Sequence, residues 1–235
     1  METSREQDSA DLPLNAFQGV NPKDSIPKDP HIIDRIRMVD TQIKARGIQD
    51  SRTLQAMVKV PRERFVPPNL QSLAFEDRPL SIGSGQTISQ PYIVALMTEL
   101  LQLTGKERVL EVGTGSGYQC AILAELAAEV FTVEIVPDLA ARAQKILKSL
   151  GYTNIHFRVG SGFEPWPKEA PFDRIILTAA PRELPQSLLE QCRIGGRIVA
   201  PVGRETQWLM TYDRQKNGHF LVTKILPVRF VPMLP

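Results

Sequence analysis

Several chemistries are excluded by what this 235-residue chain has little of. It carries two cysteines, Cys120 and Cys192, where a small secreted scaffold would need more at framework spacings, so a reducing interior is expected. Its three histidines, His31, His156 and His219, lie far apart and share no metal-ligand spacing, so no metal is expected. No Gly-x-Ser-x-Gly elbow supports a serine hydrolase. The net charge is only +2, and no dense Lys/Arg block offers an electrostatic footprint for nucleic acid. No apolar run has the length of a membrane span, and the first thirty residues lack the continuous apolar stretch of a secretory signal. The expectation is a cytoplasmic protein with neither nucleic acid nor membrane as partner. What is present, 42% hydrophobic and 23% charged residues, suits a globular chain with one core.

Residues 1–30 contain Pro13, Pro22, Pro27 and Pro30 among scattered charges, without periodicity, and read as a mobile tail. The remainder, 31–235, reads as one domain. Its first part, 31–104, is a helical and substrate-loop region. Ile32, Ile36, Val39 and Ile43 recur at helical spacing up to Gly47. Asp50 or Ser51 caps a second helix that Pro61 stops. Pro61 to Pro68 reads as a loop and Asp77 to Gln90, rich in Gly and Ser, as an irregular connector. Pro91 opens a third helix carrying Ile93, Met97, Leu100 and Leu101.

From Gly105 strands and helices alternate. Strands are expected at Arg108–Val112, Val130–Ile135, His156–Val159, Phe172–Ala180 and Arg197–Pro201. Helices are expected at Tyr118–Ala128, from Pro137 to about Leu150, and at Leu184–Cys192. Trp208–Tyr212 and Phe220–Ile225 flank Asn217-Gly218, a good hairpin turn. The pattern implies an α/β fold: a Rossmann-like open, mostly parallel sheet with helices on both faces and an antiparallel C-terminal hairpin.

The most informative stretch is Val109-Leu110-Glu111-Val112-Gly113-Thr114-Gly115-Ser116-Gly117-Tyr118. An apolar strand runs into a glycine turn that opens a helix, letting a ligand lie against bare main chain beside free helical N–H groups. The dinucleotide fingerprint Gly-x-Gly-x-x-Gly would want its last glycine where Tyr118 stands. Gly113-x-Gly115-x-Gly117 is one residue tighter, which disfavours a nicotinamide-dependent oxidoreductase. The tight version, with Glu111 two residues before it, resembles motif I of the class I methyltransferases. That resemblance implies S-adenosyl-L-methionine as cofactor, Glu111 toward its methionine ammonium, and Thr114 within the cradle. Glu134, at the end of the next strand, can accept hydrogen bonds from both ribose hydroxyls. Ile135, the next residue, belongs with it to the expected cofactor wall.

Upstream lies Gly83-Ser84-Gly85-Gln86-Thr87-Ile88-Ser89-Gln90-Pro91-Tyr92. This block and Gly113 to Gln119 are similar to the protein-L-isoaspartate O-methyltransferases, repair enzymes for aged aspartyl and asparaginyl residues. Val60 to Pro67, Phe172 to Pro181 and Val228 to Pro232 agree, in order, so the likeness spans roughly Ile32 to Pro232. It implies methylation of the free α-carboxylate of isoaspartyl residues in damaged proteins and peptides. It implies Ser89 as the catalytic residue, with Thr87, Ile88, Gln90, Thr178 and Val231 binding substrate.

Residue by residue, alternatives stand beside these roles. Ser89 precedes a helix and can cap it, bind the carboxylate, or do both. Thr178 ends a core strand at the edge where such sheets bind ligands, and a plain strand end reads equally well. Val228 to Pro232 is either a peptide contact or an ordinary closing strand. The family's Gly-Asp-Gly is here Gly160-Ser161-Gly162, so a short neutral side chain replaces the carboxylate that accepts from the adenine amino group. Ser161 and Gly162 stay expected cofactor residues, with weaker affinity. Methylation of a small molecule or RNA is the competing function within the same fold; a binding protein that kept only the cleft is the non-catalytic one.

Overall fold

The computed structural model describes residues 29–164, 166 and 168–234. The expected mobile tail therefore falls, but for its last two residues, outside the described residues. The first helix, α1 (Ile32–Met38), continues through a π-turn at Val39–Ile43 and a 3₁₀ turn at Lys44–Arg46 before Gly47 ends it. Asp50 rather than Ser51 caps α2 (Ser51–Lys59): its Oδ2 accepts from the Thr53 N–H at 3.0 Å and from the Thr53 hydroxyl at 2.5 Å. The expected loop Pro61 to Pro68 contains one 3₁₀ turn, Arg62–Phe65, and a second, Pro68–Leu73, follows from its end.

The connector before α3 (Pro91–Leu101) is not irregular. It holds an antiparallel hairpin, β1 (Leu80–Gly83) and β2 (Gln86–Ile88). Leu80, Ile82 and Ile88 are buried and alternate with exposed residues, the period-2 pattern of a half-buried strand. Gly83, Ser84 and Gly85 all have positive φ (90°, 52° and 69°), a turn that two glycines make accessible.

The main sheet has seven strands. In chain order they are β3 (Arg108–Val112), β4 (Glu129–Glu134), β5 (Ile155–Val159), β6 (Phe172–Leu177), β7 (Cys192–Gly203), β8 (Gln207–Arg214) and β9 (Phe220–Val228). Their spatial order is β5-β4-β3-β6-β7-β8-β9. β7–β8 and β8–β9 pair antiparallel and the rest parallel, as the alternation and the Asn-Gly turn predict. The chain runs outward from β3 to β5, then crosses back to place β6 on the other side of β3. The direction reverses between β3 and β6, where open α/β sheets form a crevice at the carboxyl ends of their strands.

Helices α4 (Tyr118–Leu126) and α5 (Pro137–Ser149) share one core with α2, α3 and the Val109, Val130 and Val199 side of the sheet. Leu110, Val112, Phe131, Val133 and Ile175 face the opposite side, where α6 (Gln186–Gln191) contributes Leu188. Trp166 packs edge-on against Phe131 there, ring centroids 5.7 Å apart. β7 is far longer than the expected Arg197–Pro201. It starts at Cys192, and Gly196 is admissible there because a Cβ would lie 2.7 Å from the Cys192 sulfur.

Asp50→Ala removes the α2 cap together with the partner of the buried Thr53. Urea unfolding should show a loss of about 1–2 kcal/mol with an unchanged m-value; an unchanged midpoint would mean the cap contributes nothing.

Candidate active site

β3 delivers the chain into the glycine turn at the crevice. The Gly113 and Thr114 N–H groups donate to the Val133 carbonyl at 2.8 and 3.3 Å, pinning the turn to β4. Glu134 completes the anchor: its Oε2 accepts from the Gly115 N–H at 2.7 Å and its Oε1 from the Val136 N–H at 2.9 Å. Gly113 has φ +98°, and a Cβ there would lie 2.3 Å from the Thr178 hydroxyl oxygen. That hydroxyl donates to the Gly113 carbonyl at 2.5 Å, so the end of β6 closes directly on the turn.

Two cavities meet above this edge. The smaller, about 60 Å³, is lined by Gly113, Gly115, Glu134, Ile135 and Gly162 among others. The larger, about 790 Å³, is lined by Ser89, Gln90, Ile93, Arg229 and Phe230 among others. Thr87, Thr178 and Val231 belong to the walls of both. They come from the hairpin, the end of β6 and the segment after β9. That last segment is held like a short strand: the Ala180 N–H donates to the Val231 carbonyl and the Met233 N–H to the Ala180 carbonyl, each at 2.8 Å.

Five expected cofactor residues, Gly113, Gly115, Glu134, Ile135 and Gly162, thus reach one cavity. The other four do not line it. Gly117 is the left-handed N-cap of α4 and packs against α5. The Ser161 hydroxyl accepts from the Phe163 N–H at 3.2 Å, within its own loop. Thr114 is buried beneath the turn, its hydroxyl 2.5 Å from that of Thr132. Glu111 points the same way, because strand residues alternate faces and its neighbour Val112 takes the cavity side. Its Oε2 accepts from the Thr132 hydroxyl at 2.6 Å.

Of the expected substrate residues, Thr87, Ser89, Gln90, Thr178 and Val231 line the larger cavity. Ile88 is 2% exposed and packs into the core beneath the hairpin, because period 2 turns it away from its neighbours. The cap of α3 is Gln90 and involves no side-chain hydrogen bond, which removes capping as a role for Ser89. Arg229 lines the larger cavity, on the peptide-contact side of the two readings of Val228 to Pro232, while Met233 and Leu234, at the smaller one, were not expected. Met233 and Leu234 follow that motif without a signal of their own.

Glu111 is fully buried, and loss of hydration raises its carboxyl to about 8, against the opposing hydrogen bond from Thr132 and helped by the charge of Glu134. The Cys120 thiol beside it is raised as well, first by burial and then by Glu111.

The residues suit an adenosyl ligand. Each Glu134 oxygen accepts a single backbone N–H, while a carboxylate oxygen can take two donors, which leaves capacity for a vicinal diol. A Cβ at Gly115 would meet nothing nearer than Ile82 Cδ1 at 3.8 Å, so open space lies beside the main chain. A tight three-glycine turn at the switch point, with a carboxylate ending the next strand, is the architecture of a class I S-adenosylmethionine-dependent methyltransferase.

The family described as Protein-L-isoaspartate(D-aspartate) O-methyltransferase matches residues 34–234, and the chain belongs to that family. A protein-L-isoaspartate O-methyltransferase of Gloeobacter violaceus is 53% identical over 197 residues, covering 83% of this chain and 96% of the relative. A solved protein-L-isoaspartate O-methyltransferase superposes with a TM-score of 0.75 at 27% identity, over 86% of this chain and 65% of the other. A Plasmodium falciparum structure in complex with S-adenosyl-L-homocysteine shares the fold, with a TM-score of 0.74 at 24% identity over 85% of this chain and 98% of that one.

Because the Glu111 carboxyl is raised in the fold, the folded state holds its proton more tightly than the unfolded chain. Its contribution to stability is complete below the ordinary carboxyl range and is lost as pH rises toward about 8. Unfolding midpoints taken from pH 5 to 8.5 should therefore fall more steeply for the wild type than for Glu111→Gln. Parallel curves would show that Glu111 is ionised throughout.

Proposed function

We propose that this chain transfers the methyl group of S-adenosyl-L-methionine to the free α-carboxylate of L-isoaspartyl residues in damaged proteins and peptides, initiating their repair. The observation that carries the reading is the junction of the two cavities at Thr87, Thr178 and Val231: one has a carboxylate and bare main chain on its wall, the chemistry a nucleoside needs, the other is a roomy cleft for a peptide, and they share walls where a methyl group would pass.

When bound, the cofactor supplies a methyl already activated on a sulfonium. In this reading Glu134 receives the ribose hydroxyls, the bare main chain at Gly113 and Gly115 admits close approach, and Ile135 and Gly162 wall the pocket. Thr114, Gly117 and Glu111 act from beneath by fixing the turn. Ser161 bonds within its own loop, which leaves adenine to main-chain and apolar contacts.

In the cleft, the hydroxyl of Ser89 makes no hydrogen bond among the described residues and is available to donate to one carboxylate oxygen. Thr87 and Gln90 flank it, and Thr178 and Val231 face it from the junction. The nucleophile needs no base, since an α-carboxyl with a pKa of about 3.5 is ionised at neutral pH. One carboxylate oxygen forms the new O–CH₃ bond as the S–CH₃ bond breaks and sulfur keeps the electron pair, giving a methyl ester and S-adenosylhomocysteine. Catalysis is then alignment and exclusion of water, effects that can supply ~7–11 kcal/mol.

Methyl-labelled cofactor offered with paired peptides, one containing isoaspartate and one aspartate, should give base-labile label, released as methanol, with the first alone. Equal labelling of both would remove the repair assignment. Ser89→Ala should lower kcat/KM for the isoaspartyl peptide by about 10- to 100-fold, the worth of a hydrogen bond to a charged group, with calorimetric affinity for S-adenosylhomocysteine unchanged. Wild-type turnover in that variant would exclude Ser89 from the substrate site.

A further inference from the structure

We propose that Arg62 is a positioning residue for the substrate carboxylate, fixing the main chain at Ser89 and placing a positive charge behind the cleft. This rests on the methyl-transfer reading above. Arg62 opens the 3₁₀ turn Arg62–Phe65, within the Val60–Pro67 motif that the mechanism otherwise leaves unused. Its side chain is fully buried. Nε donates to the Ala74 carbonyl and Nη2 to the Ser89 carbonyl, both at 2.8 Å. Nη1 has no hydrogen-bond partner among the described residues. The guanidinium carbon stands 4.8 Å from the centroid of the Tyr118 ring.

What this cation lacks is a paired anion. No acid forms an ion pair with it among the described residues: Glu63 pairs with Arg35 at 3.1 Å, and Asp77, whose charge favours the Arg62 cation, pairs through Oδ2 with Arg46 at 2.8 Å and leaves its buried Oδ1 without a hydrogen-bond partner. Burial lowers the Arg62 pKa, yet a guanidinium stays protonated in proteins. A buried charge without a counter-ion opposes stability. The two carbonyls could be satisfied by neutral donors, so hydrogen bonding alone does not call for a cation. Asp77 supplies part of the balance, and the ligand of the cleft, whose carboxylate meets Ser89 from the other side, would add to it. Tyr118 adds a link to the cofactor half of the site, because it is the first residue of α4, directly after the glycine turn.

The chemistry dictates how the effect should appear. The carboxylate loses its charge as it is methylated, so a nearby cation favours the bound substrate more than the transition state. Loss of that charge should therefore raise the peptide KM without lowering kcat, unlike a general disturbance of the site.

The test uses Arg62→Gln and Arg62→Lys in the full chain, with S-adenosylhomocysteine affinity as the check of folding. Arg62→Gln should raise the KM for an isoaspartyl peptide by about tenfold at undiminished kcat, and Arg62→Lys, which keeps the charge, by about threefold. Calorimetry on the S-adenosylhomocysteine complex should then compare that peptide with its counterpart bearing an α-carboxamide. The wild type and the lysine variant should prefer the carboxylate, and the glutamine variant should lose about tenfold of that preference. Equal effects of lysine and glutamine, an unaltered preference in the glutamine variant, or a fall in kcat alone would overturn the proposal. Should glutamine abolish S-adenosylhomocysteine binding, the lysine variant decides: an unchanged KM, or a lost preference for the carboxylate, overturns it. A wild type inactive on isoaspartyl peptides sinks the parent reading instead.

Discussion

The site depends on one bond between neighbouring strands. The Glu134 carboxylate, at the end of β4, holds the Gly115 N–H and so sets the shape of a turn that has almost no side chains to hold itself. A loop of glycines would lose much conformational freedom on ordering. Here that freedom is removed from outside, by Glu134 and the Val133 carbonyl on one flank and by the Thr178 hydroxyl on the other. The same carboxylate that fixes the turn faces the cavity the turn lines. Support of the turn and a polar wall of the cavity therefore reside in one group.

Around this point the sheet separates two tasks by face. Val112 and Val133 line the smaller cavity, while Glu111 and Thr132, on the opposite side of their strands, build a hydrogen-bonded path beneath the turn that ends at Thr114. A buried carboxyl and two hydroxyls make this floor. Glu111 Oε2, the Thr132 hydroxyl and the Thr114 hydroxyl each bond to the next, which makes polar groups tolerable at that depth, while Glu111 Oε1 has no hydrogen-bond partner among the described residues.

Much of this was legible in the residues. Strand β3 has the expected boundaries because Val109, Leu110 and Val112 lie between the charged Lys106-Glu107-Arg108 and the glycines. Asp50, Pro91 and Pro137 mark helix starts through capping and ring geometry, which act locally. The failures have local causes too. The hairpin Leu80–Ile88 reads as a loop because glycine and serine mask three buried apolar residues at period 2. β7 extends through Gly195 and Gly196, residues that weaken any strand signal and that fall in the irregularity between the Phe172–Cys192 and Arg174–Arg197 pairs. Within the site, spacing identified which residues approach the turn but not which way they face. Glu111 and Ile88 turn inward for the reason their neighbours turn outward, and a motif read as a string carries no such phase. Met233 and Leu234 reach the smaller cavity through a tertiary pairing with Ala180, which sequence separation hides.

The shared wall has a consequence for folding. Thr87, Thr178 and Val231 belong to segments distant along the chain, and loop closure makes contacts of that separation slow to form. The parallel strands can assemble while the partition between the two chambers is still missing. Completion of either chamber is thus tied to the finished chain topology rather than to nucleation of the sheet, because both take part of their wall from these three segments.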